Sequence, residues 1–194
     1  QHGIPTPEHA VVTAAQWARD PGAVRARIAA HPGYPAFCKP ARLGSSVGIT
    51  KVTEPAGLAA AVEEAAKFDP RVIIEANSSG REIECSVLGN ENPDASLPGE
   101  ILTDDEWYDY EAKYTEGRTR IEAPADLDDE TTNRVRDLAA QVFTMAGCSG
   151  LARCDFFVEE ASDPKDTRIL LNEINTIPGF TRTSVYAKLW EATD

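Results

Sequence analysis

The sequence predicts an α+β protein of two units, residues 1–75 and 76–194, on three observations. Two short β-type runs flank a Gly/Ser loop between Ala36 and Val52. An Ala/Glu/Leu-rich stretch runs from Pro55 to Phe68. Period-two alternation from Glu82 onward then sits beside one long amphipathic segment. Both periods in each half are what a helix-covered sheet requires. With 194 residues, 42% of them hydrophobic, the chain can build one ordinary domain or two small ones with real cores.

The elements follow in order. Gly3-Ile4-Pro5-Thr6-Pro7 is a breaker-rich entry, and Thr13 suits the N-cap of a helix through Trp17. Asp20-Pro21 starts another helical stretch, since proline is tolerated at the first helical position. Ala36 to Pro40 and Val47 to Val52 read as strands around Arg42-Leu43-Gly44-Ser45-Ser46. A helix over Pro55 to Phe68 and a strand over Arg71 to Ala76 complete the first unit. In the second, Glu82, Glu84 and Ser86 alternate with Ile83, Cys85 and Val87, the pattern of a half-buried strand. Gly99 to Thr103 is a further strand. The aperiodic stretch from Thr103 to Arg118 is long enough to suggest a functional lid. Asp126 to Ala146 is an amphipathic helix with Leu138, Val142 and Met145 on one side and Asp128 or Asp129 as cap. Strands over Leu151 to Val158 and Arg168 to Thr176 precede a last helix near Thr183.

Nineteen Lys and Arg against 32 Asp and Glu give a net charge of −13, which argues against binding nucleic acid or anionic lipid. Any phosphate site must be local. No apolar run approaches the ~20 residues of a membrane span, and no basic-then-apolar leader opens the chain, so the cytosol is the expected compartment. Cys38, Cys85, Cys148 and Cys154 lack CxxC spacing and sit among apolar neighbours, as buried reduced thiols do. The chain opens at Gln1 and its one methionine is Met145, so a longer gene product is expected.

Arg153 and Asp155 lie two apart on one strand, and Glu173 and Asn175 two apart on the next, so each pair shares a face. If the strands form a hairpin about Pro164, Asp155 and Glu173 fall opposite each other, because each is nine residues from that proline. Two facing carboxylates repel unless a cation sits between them, and all-oxygen ligands favour Mg²⁺ or Mn²⁺. The alternative is a charged cross-strand pair balanced by Arg153. The Gly44-Ser45-Ser46 loop offers N–H groups and hydroxyls, and Lys39 closes the preceding strand where it can reach a phosphate. Without a Gly-Lys-Ser/Thr run this is no Walker motif, and by itself it equally fits an ordinary hairpin loop with a surface lysine.

The motifs combine into a familiar order. Phe37-Cys38-Lys39-Pro40-Ala41-Arg42-Leu43-Gly44-Ser45-Ser46-Val47-Gly48, Arg81-Glu82-Ile83-Glu84-Cys85, Tyr108-Asp109-Tyr110-Glu111-Ala112-Lys113-Tyr114, Arg153-Cys154-Asp155 and Asn172-Glu173-Ile174-Asn175-Thr176-Ile177-Pro178-Gly179-Phe180-Thr181 succeed one another as in D-alanine–D-alanine ligases. The chain resembles the central and C-terminal part of that family over essentially its whole length.

The resemblance implies an ATP-grasp fold, with ATP between two α+β subdomains, and two Mg²⁺ ions for which Mn²⁺ can substitute. Lys39, Ser46 and Lys113 would contact phosphates, Glu75 would lie near the adenine amino group, and Glu82 would accept from ribose hydroxyls. Asp155, Glu173 and Asn175 would hold the two ions, with Glu173 bridging. The γ-phosphoryl group would pass to the carboxylate of a first D-alanine. A second D-alanine, its carboxylate held by Ser184, would attack the acyl phosphate while Arg153 and the Gly179 N–H hold the oxyanion. Ser45 and Tyr114 would orient the first substrate and the lid. One departure is Ala76-Asn77-Ser78, where larger apolar residues are frequent in the family. The resemblance further implies a homodimer and an N-terminal domain bearing the glutamate for the first D-alanine, so residues 1–194 alone should bind MgATP weakly and make no dipeptide. Alternatives are a D-alanine–D-lactate or D-serine ligase, another ATP-grasp carboxylate–amine ligase, or a nucleotide-binding module without catalysis. The Glu111-Ala112-Lys113-Tyr114 run favours the dipeptide product.

Overall fold

The computed structural model describes residues 3–44, 46–103 and 119–193, and its described residues form two compact units. The first comprises residues 7–44 and 46–78, the second residues 3–6, 79–103 and 119–193.

The first unit is a four-stranded antiparallel sheet. Strand β1 (His9–Thr13) leads into helices α1 (Ala14–Arg19) and α2 (Pro21–Ala30). Strands β2 (Ala36–Pro40) and β3 (Thr50–Val52) form the hairpin, followed by α3 (Leu58–Ala66) and β4 (Arg71–Ala76). The sheet order is β1-β4-β2-β3. Thr13 caps α1 through a full capping box: its hydroxyl accepts from Gln16 N at 3.1 Å, and Gln16 Oε1 accepts from Thr13 N at 2.9 Å. Asp20 caps α2 and Pro21 takes its first position. Strand β1 is a finding the sequence reading did not contain. Its five residues carry too short an alternation to announce a strand, and it exists because it pairs with β4 from His9↔Glu75 to Thr13↔Arg71. Val12, Val72 and Ile74 of the sheet and Ile28, Leu58 and Val62 of the helices are fully enclosed in one core. Each such side chain contributes ~1.5–3 kcal/mol against conformational entropy.

The second unit is a six-stranded antiparallel sheet. Its elements are β5 (Arg81–Gly89), β6 (Asp94–Ala95), β7 (Gly99–Thr103), β8 (Thr119–Glu122), α4 (Asp129–Met145), β9 (Gly150–Glu159), β10 (Arg168–Asn175) and α5 (Val185–Glu191). The order is β10-β9-β5-β7-β8, with β6 paired to β5. Asp128 caps α4 by accepting from Thr131 N and Thr131 Oγ1. The buried stripe of α4 is Thr131, Val135, Ala139, Val142 and Phe143, which corrects the expected apolar face: Leu138 is half-buried beside it and Met145 is 44% exposed. The short strands β6 and β8 also escaped the sequence reading. The entry segment joins this unit, with Leu171 N donating to Pro5 O at 2.8 Å. Cys38, Cys85 and Cys154 are buried and Cys148 is half-buried, all as free thiols. Burial pushes the Cys38 and Cys85 thiols up to about 12. Among the described residues no helix is long and apolar enough to cross a membrane.

An ion pair between the exposed Arg42 and the buried Asp69 ties the base of the Gly/Ser loop to the sheet. Asp69, only 3% exposed, accepts from Arg42 Nε at 2.8 Å, from Arg42 Nη2 at 3.2 Å and from Arg71 N at 2.9 Å. The Arg42 hydrogen bond, then the Arg71 N–H, hold its carboxyl down at about 2 against an ordinary 3.8. A depressed acid stabilises the fold above its unfolded pKa, and that contribution disappears as pH falls through the folded value. Asp69→Asn should therefore lower the urea midpoint at pH 5 and above. The gap from wild type should close between about pH 4 and pH 2, and a gap independent of pH would show that the charge is not what matters.

Candidate functional site

In the first unit the candidate groups sit on β2, on β4 and in the loop after β2. Phe37 lies opposite Glu75 and Lys39 opposite Ile73, so these four share one sheet face, while Ala36 and Cys38 fill the core side. Lys39 Nζ donates to Glu75 Oε1 at 2.8 Å, and the side chains are 16% and 9% exposed. The structure thus pairs two groups to which the resemblance gives separate tasks. Lys51 stands 6.0 Å over the Phe37 ring.

The loop has special backbone geometry. Ser46 has φ +57° and Gly48 φ +74°, both left-handed, and the turn closes through Val47 N to Gly44 O at 3.4 Å and Ile49 N to Ser46 O at 3.3 Å. A Cβ on Gly48 would meet Phe68 Cδ2 at 2.6 Å, so a side chain here needs both a left-handed backbone and a shift of that exposed ring. Consecutive N–H groups in such a turn form a concavity suited to an anion. Ser45, Lys113 and Tyr114, with the expected lid beyond Thr103, lie outside the described residues.

In the second unit three strands bring charges together. Along β9, Asp155 faces Glu84 of β5 on one side and Glu173 of β10 on the other. In the next row Arg153 faces Ser86 and Asn175. Asp155 and Glu173 are therefore opposite, as the hairpin argument expects. The cause is a bulge at Asn172: Leu171 pairs with Phe156, and continuing that register would set Glu173 against Cys154 on the core side. The core-facing residues show the shift, running Ile169, Leu171, then Ile174. The extra residue turns Glu173 onto the Asp155 face, a common use of bulges beside sites.

The Arg153 guanidinium grips Asp155 with both arms, Nε to Oδ1 and Nη2 to Oδ2, each at 2.7 Å. Its Nε also lies 2.8 Å from Glu84 Oε2, an ionic contact because the N–H is directed at Asp155. Arg153, Glu84 and Asp155 are 14%, 7% and 12% exposed at their side chains. Burial by itself would lower the arginine pKa, but the charges of Asp155, Glu84 and Glu173 drive it above the ordinary value, so the guanidinium is permanently charged. Among the described residues no three His, Cys, Asp or Glu side chains form a cage for a metal ion. Two oxygen donors on adjacent strands fit a cation of the Mg²⁺ type, which binds through one or two carboxylates and completes its shell with phosphate and water.

Glu84 is the member that sequence reading missed. Its alternation with Ile83 and Cys85 was legible, but its place beside Asp155 depends on the distant pairing of β5 with β9. Glu82 lies on the same side of β5, opposite Phe157. Asn175 Oδ1 accepts from Ile177 N at 3.1 Å, and so shapes the loop leaving β10. Gly179 is exposed in that loop, and a Cβ there would make only an ordinary 3.6 Å contact with Ser184, so sterics do not require glycine. Ser184 Oγ donates to Thr181 O at 2.7 Å and accepts from Thr181 N at 3.1 Å.

These two sheets, with their loop, lysine and carboxylate row, define an ATP-grasp protein. A family model described as the D-ala D-ala ligase C-terminus matches residues 1–193, and the chain belongs to that family. It is 48% identical over 191 residues to a D-alanine–D-alanine ligase of Thermoanaerobacter sp. (strain X514), covering 98% of this chain and 52% of that one. It is 49% identical over 193 residues to the corresponding ligase of Deinococcus radiodurans, covering 98% and 55%. Among solved structures, the VanG D-Ala:D-Ser ligase of Enterococcus faecalis superposes with TM-score 0.83 at 36% identity, covering 98% of this chain and 53% of that one. The D-alanine–D-alanine ligase of Coxiella burnetii gives 0.78 at 36% identity, covering 98% and 48%. The chain spans about half the length of the curated relatives it matches.

The loop geometry makes a direct prediction. Gly48→Ala should destabilise the full-length protein by about 1–2 kcal/mol from the left-handed backbone alone, with a further loss from the clash. Adding Phe68→Ala should relieve the clash, so that the double variant is less destabilised than the sum of the singles in urea unfolding. Additive losses would mean that the ring does not crowd this site.

Proposed function

We propose that the full-length protein joins two D-alanines into D-alanyl-D-alanine, with ATP converted to ADP and phosphate, and that residues 1–194 supply its nucleotide-handling and catalytic groups. The observation that carries this reading is the Arg153–Asp155–Glu173 arrangement on β9 and β10, within a chain that matches the ligase family from end to end. The carboxylate of the first D-alanine takes the γ-phosphoryl group, and the amine of the second displaces phosphate from the resulting acyl phosphate.

In this reading Asp155 and Glu173, with Asn175, hold two Mg²⁺ or Mn²⁺ ions. Bound cations supply neutralisation of charge on the phosphates. Lys39 and the loop around Ser46 bind phosphate oxygens, Glu75 and Glu82 contact the nucleoside, and Arg153 with the Gly179 N–H binds the oxygen that becomes negative. Ser184 binds the carboxylate of the second D-alanine, its hydroxyl turning from Thr181 to do so. Ser45, Lys113 and Tyr114 orient the first substrate and exclude water. The full-length protein would work as a cytosolic homodimer, without nucleic-acid or membrane partners.

Phosphate release by the full-length protein with ATP and Mg²⁺ tests the activity. The proposal expects release with D-alanine, little with L-alanine, and less with D-alanine plus D-lactate or D-serine than with D-alanine alone at equal total concentration. Glu173→Gln should cut turnover by about a thousandfold, equivalent to ~4 kcal/mol, while leaving the fold intact. Preference for D-serine as second substrate would reassign the product, and wild-type turnover in Glu173→Gln would overturn the metal assignment.

A further inference from the structure

Arg153 stands between two buried carboxylates, and the proposed reaction needs only one of them for metal. Both arms of its guanidinium are given to Asp155, at 2.7 Å each, so the two Asp155 oxygens are already engaged by the fork. A cation on Asp155 would compete for the same oxygens and withdraw negative charge from the arginine. A guanidinium held by Asp155 alone would then lose its anchor at the moment when it must meet a developing oxyanion. Arginine has long, flexible rotamers, and a displacement of about 1 Å in a catalytic group is costly.

Glu84 occupies the position that removes this difficulty. It projects from β5, on the opposite side of β9 from Glu173, so it is the carboxylate of the row furthest from the proposed metal ligands on β10. Its Oε2 is 2.8 Å from Arg153 Nε and its side chain is 7% exposed, which fixes it in place and makes the interaction little screened. The neighbouring backbone is held by continuous pairing of β5 with β9 from Arg81↔Val158 to Gly89↔Gly150. We infer that Glu84 is a positioning residue: its carboxylate keeps the Arg153 guanidinium aimed and charge-balanced while Asp155 serves a cation. The inference rests on the ligase reading and adds a residue to it. In this role Glu84 acts through Arg153 and not on substrate or metal directly.

The test is a comparison of full-length wild type, Glu84→Gln, Glu84→Asp, Arg153→Lys and the Glu84→Gln/Arg153→Lys double variant. Each is measured for steady-state phosphate release with ATP, Mg²⁺ and D-alanine, and for Mn²⁺ binding with a non-hydrolysable ATP analogue by electron paramagnetic resonance of free manganese. Glu84→Gln should lower kcat about ten- to a hundredfold while the KM for ATP and the Mn²⁺ affinity stay within about threefold of wild type. Because Glu84 acts through Arg153, the double variant should be no slower than Arg153→Lys alone. Glu84→Asp, which keeps the charge on a shorter arm, should recover part of kcat, and it stands in if Glu84→Gln fails to fold. Wild-type kcat in Glu84→Gln, a loss of Mn²⁺ affinity parallel to the loss of kcat, or multiplicative effects in the double variant would each overturn the inference. So would a Glu84→Asp as slow as Arg153→Lys. A wild type that releases no phosphate with D-alanine would overturn the ligase reading and this inference together, whereas an active wild type beside an unaffected Glu84→Gln would remove only the role of Glu84.

Discussion

The charge of one largely enclosed arginine conditions the polar face of the larger sheet, the face turned away from its hydrophobic core. Glu84, Asp155 and Glu173 stand in a single row across β5, β9 and β10, and acids at that spacing repel in a partly desolvated setting. Arg153 in the adjoining row makes the arrangement tolerable, with Asp155 at 2.7 Å and Glu84 at 2.8 Å. Removing the arginine would leave buried carboxylates uncompensated, a change that typically costs 3–5 kcal/mol. In the proposed reaction the same guanidinium has a second use, because a permanently charged group held by two acids can present its remaining edge to an oxyanion without reorganising.

The sheet supplies that order through its backbone. Core residues on β5, β9 and β10 pack under α4, which fixes the register of all three strands, and the bulge at Asn172 then brings Glu173 to the face of Asp155. Site and core are thus set by one parity rule with one exception. A slip of one residue would bury Glu173 and expose Ile174 together. In the smaller unit the corresponding constraint is the Asp69–Arg42 pair, which ties the loop base to the start of β4 while Gly48 sits against Phe68.

Much of this was legible in the sequence for identifiable reasons. Alternation of Glu82, Glu84 and Ser86 with Ile83, Cys85 and Val87 announced β5. Thr13 and Asp128 announced helix starts, and equal spacing of Asp155 and Glu173 about Pro164 gave their pairing. That last success needed two compensating errors to cancel, since the register about the turn is offset by one and the bulge restores it. What escaped depended on distant partners. Strand β1 exists because β4 accepts it, and β6 and β8 are too short to carry a period. Met145 is the last residue of α4, where helical spacing from Val142 no longer implies burial. Glu84 was visible as a strand residue, yet its meeting with Arg153 is a contact across 69 positions of sequence, which no local pattern encodes. The assignment of nucleotide and substrate roles came from motif order.

The central claim is that Asp155 and Glu173, aligned by the bulge and balanced by Arg153, take a divalent cation together with a nucleotide polyphosphate. Exchanging residues 173 and 174 (Glu173→Ile with Ile174→Glu) tests it at its origin, because the swap leaves the composition of the chain unchanged and moves the acid from the face of Asp155 to the core-facing position opposite Cys154. Mn²⁺ binding by the full-length protein, read by electron paramagnetic resonance with a non-hydrolysable ATP analogue, should be saturable in wild type. It should be reduced at least tenfold in the folded Glu173→Ile/Ile174→Glu variant. Retention of wild-type Mn²⁺ affinity in that folded variant would contradict the account, since it would show that the pairing of Asp155 with Glu173 does not make the site.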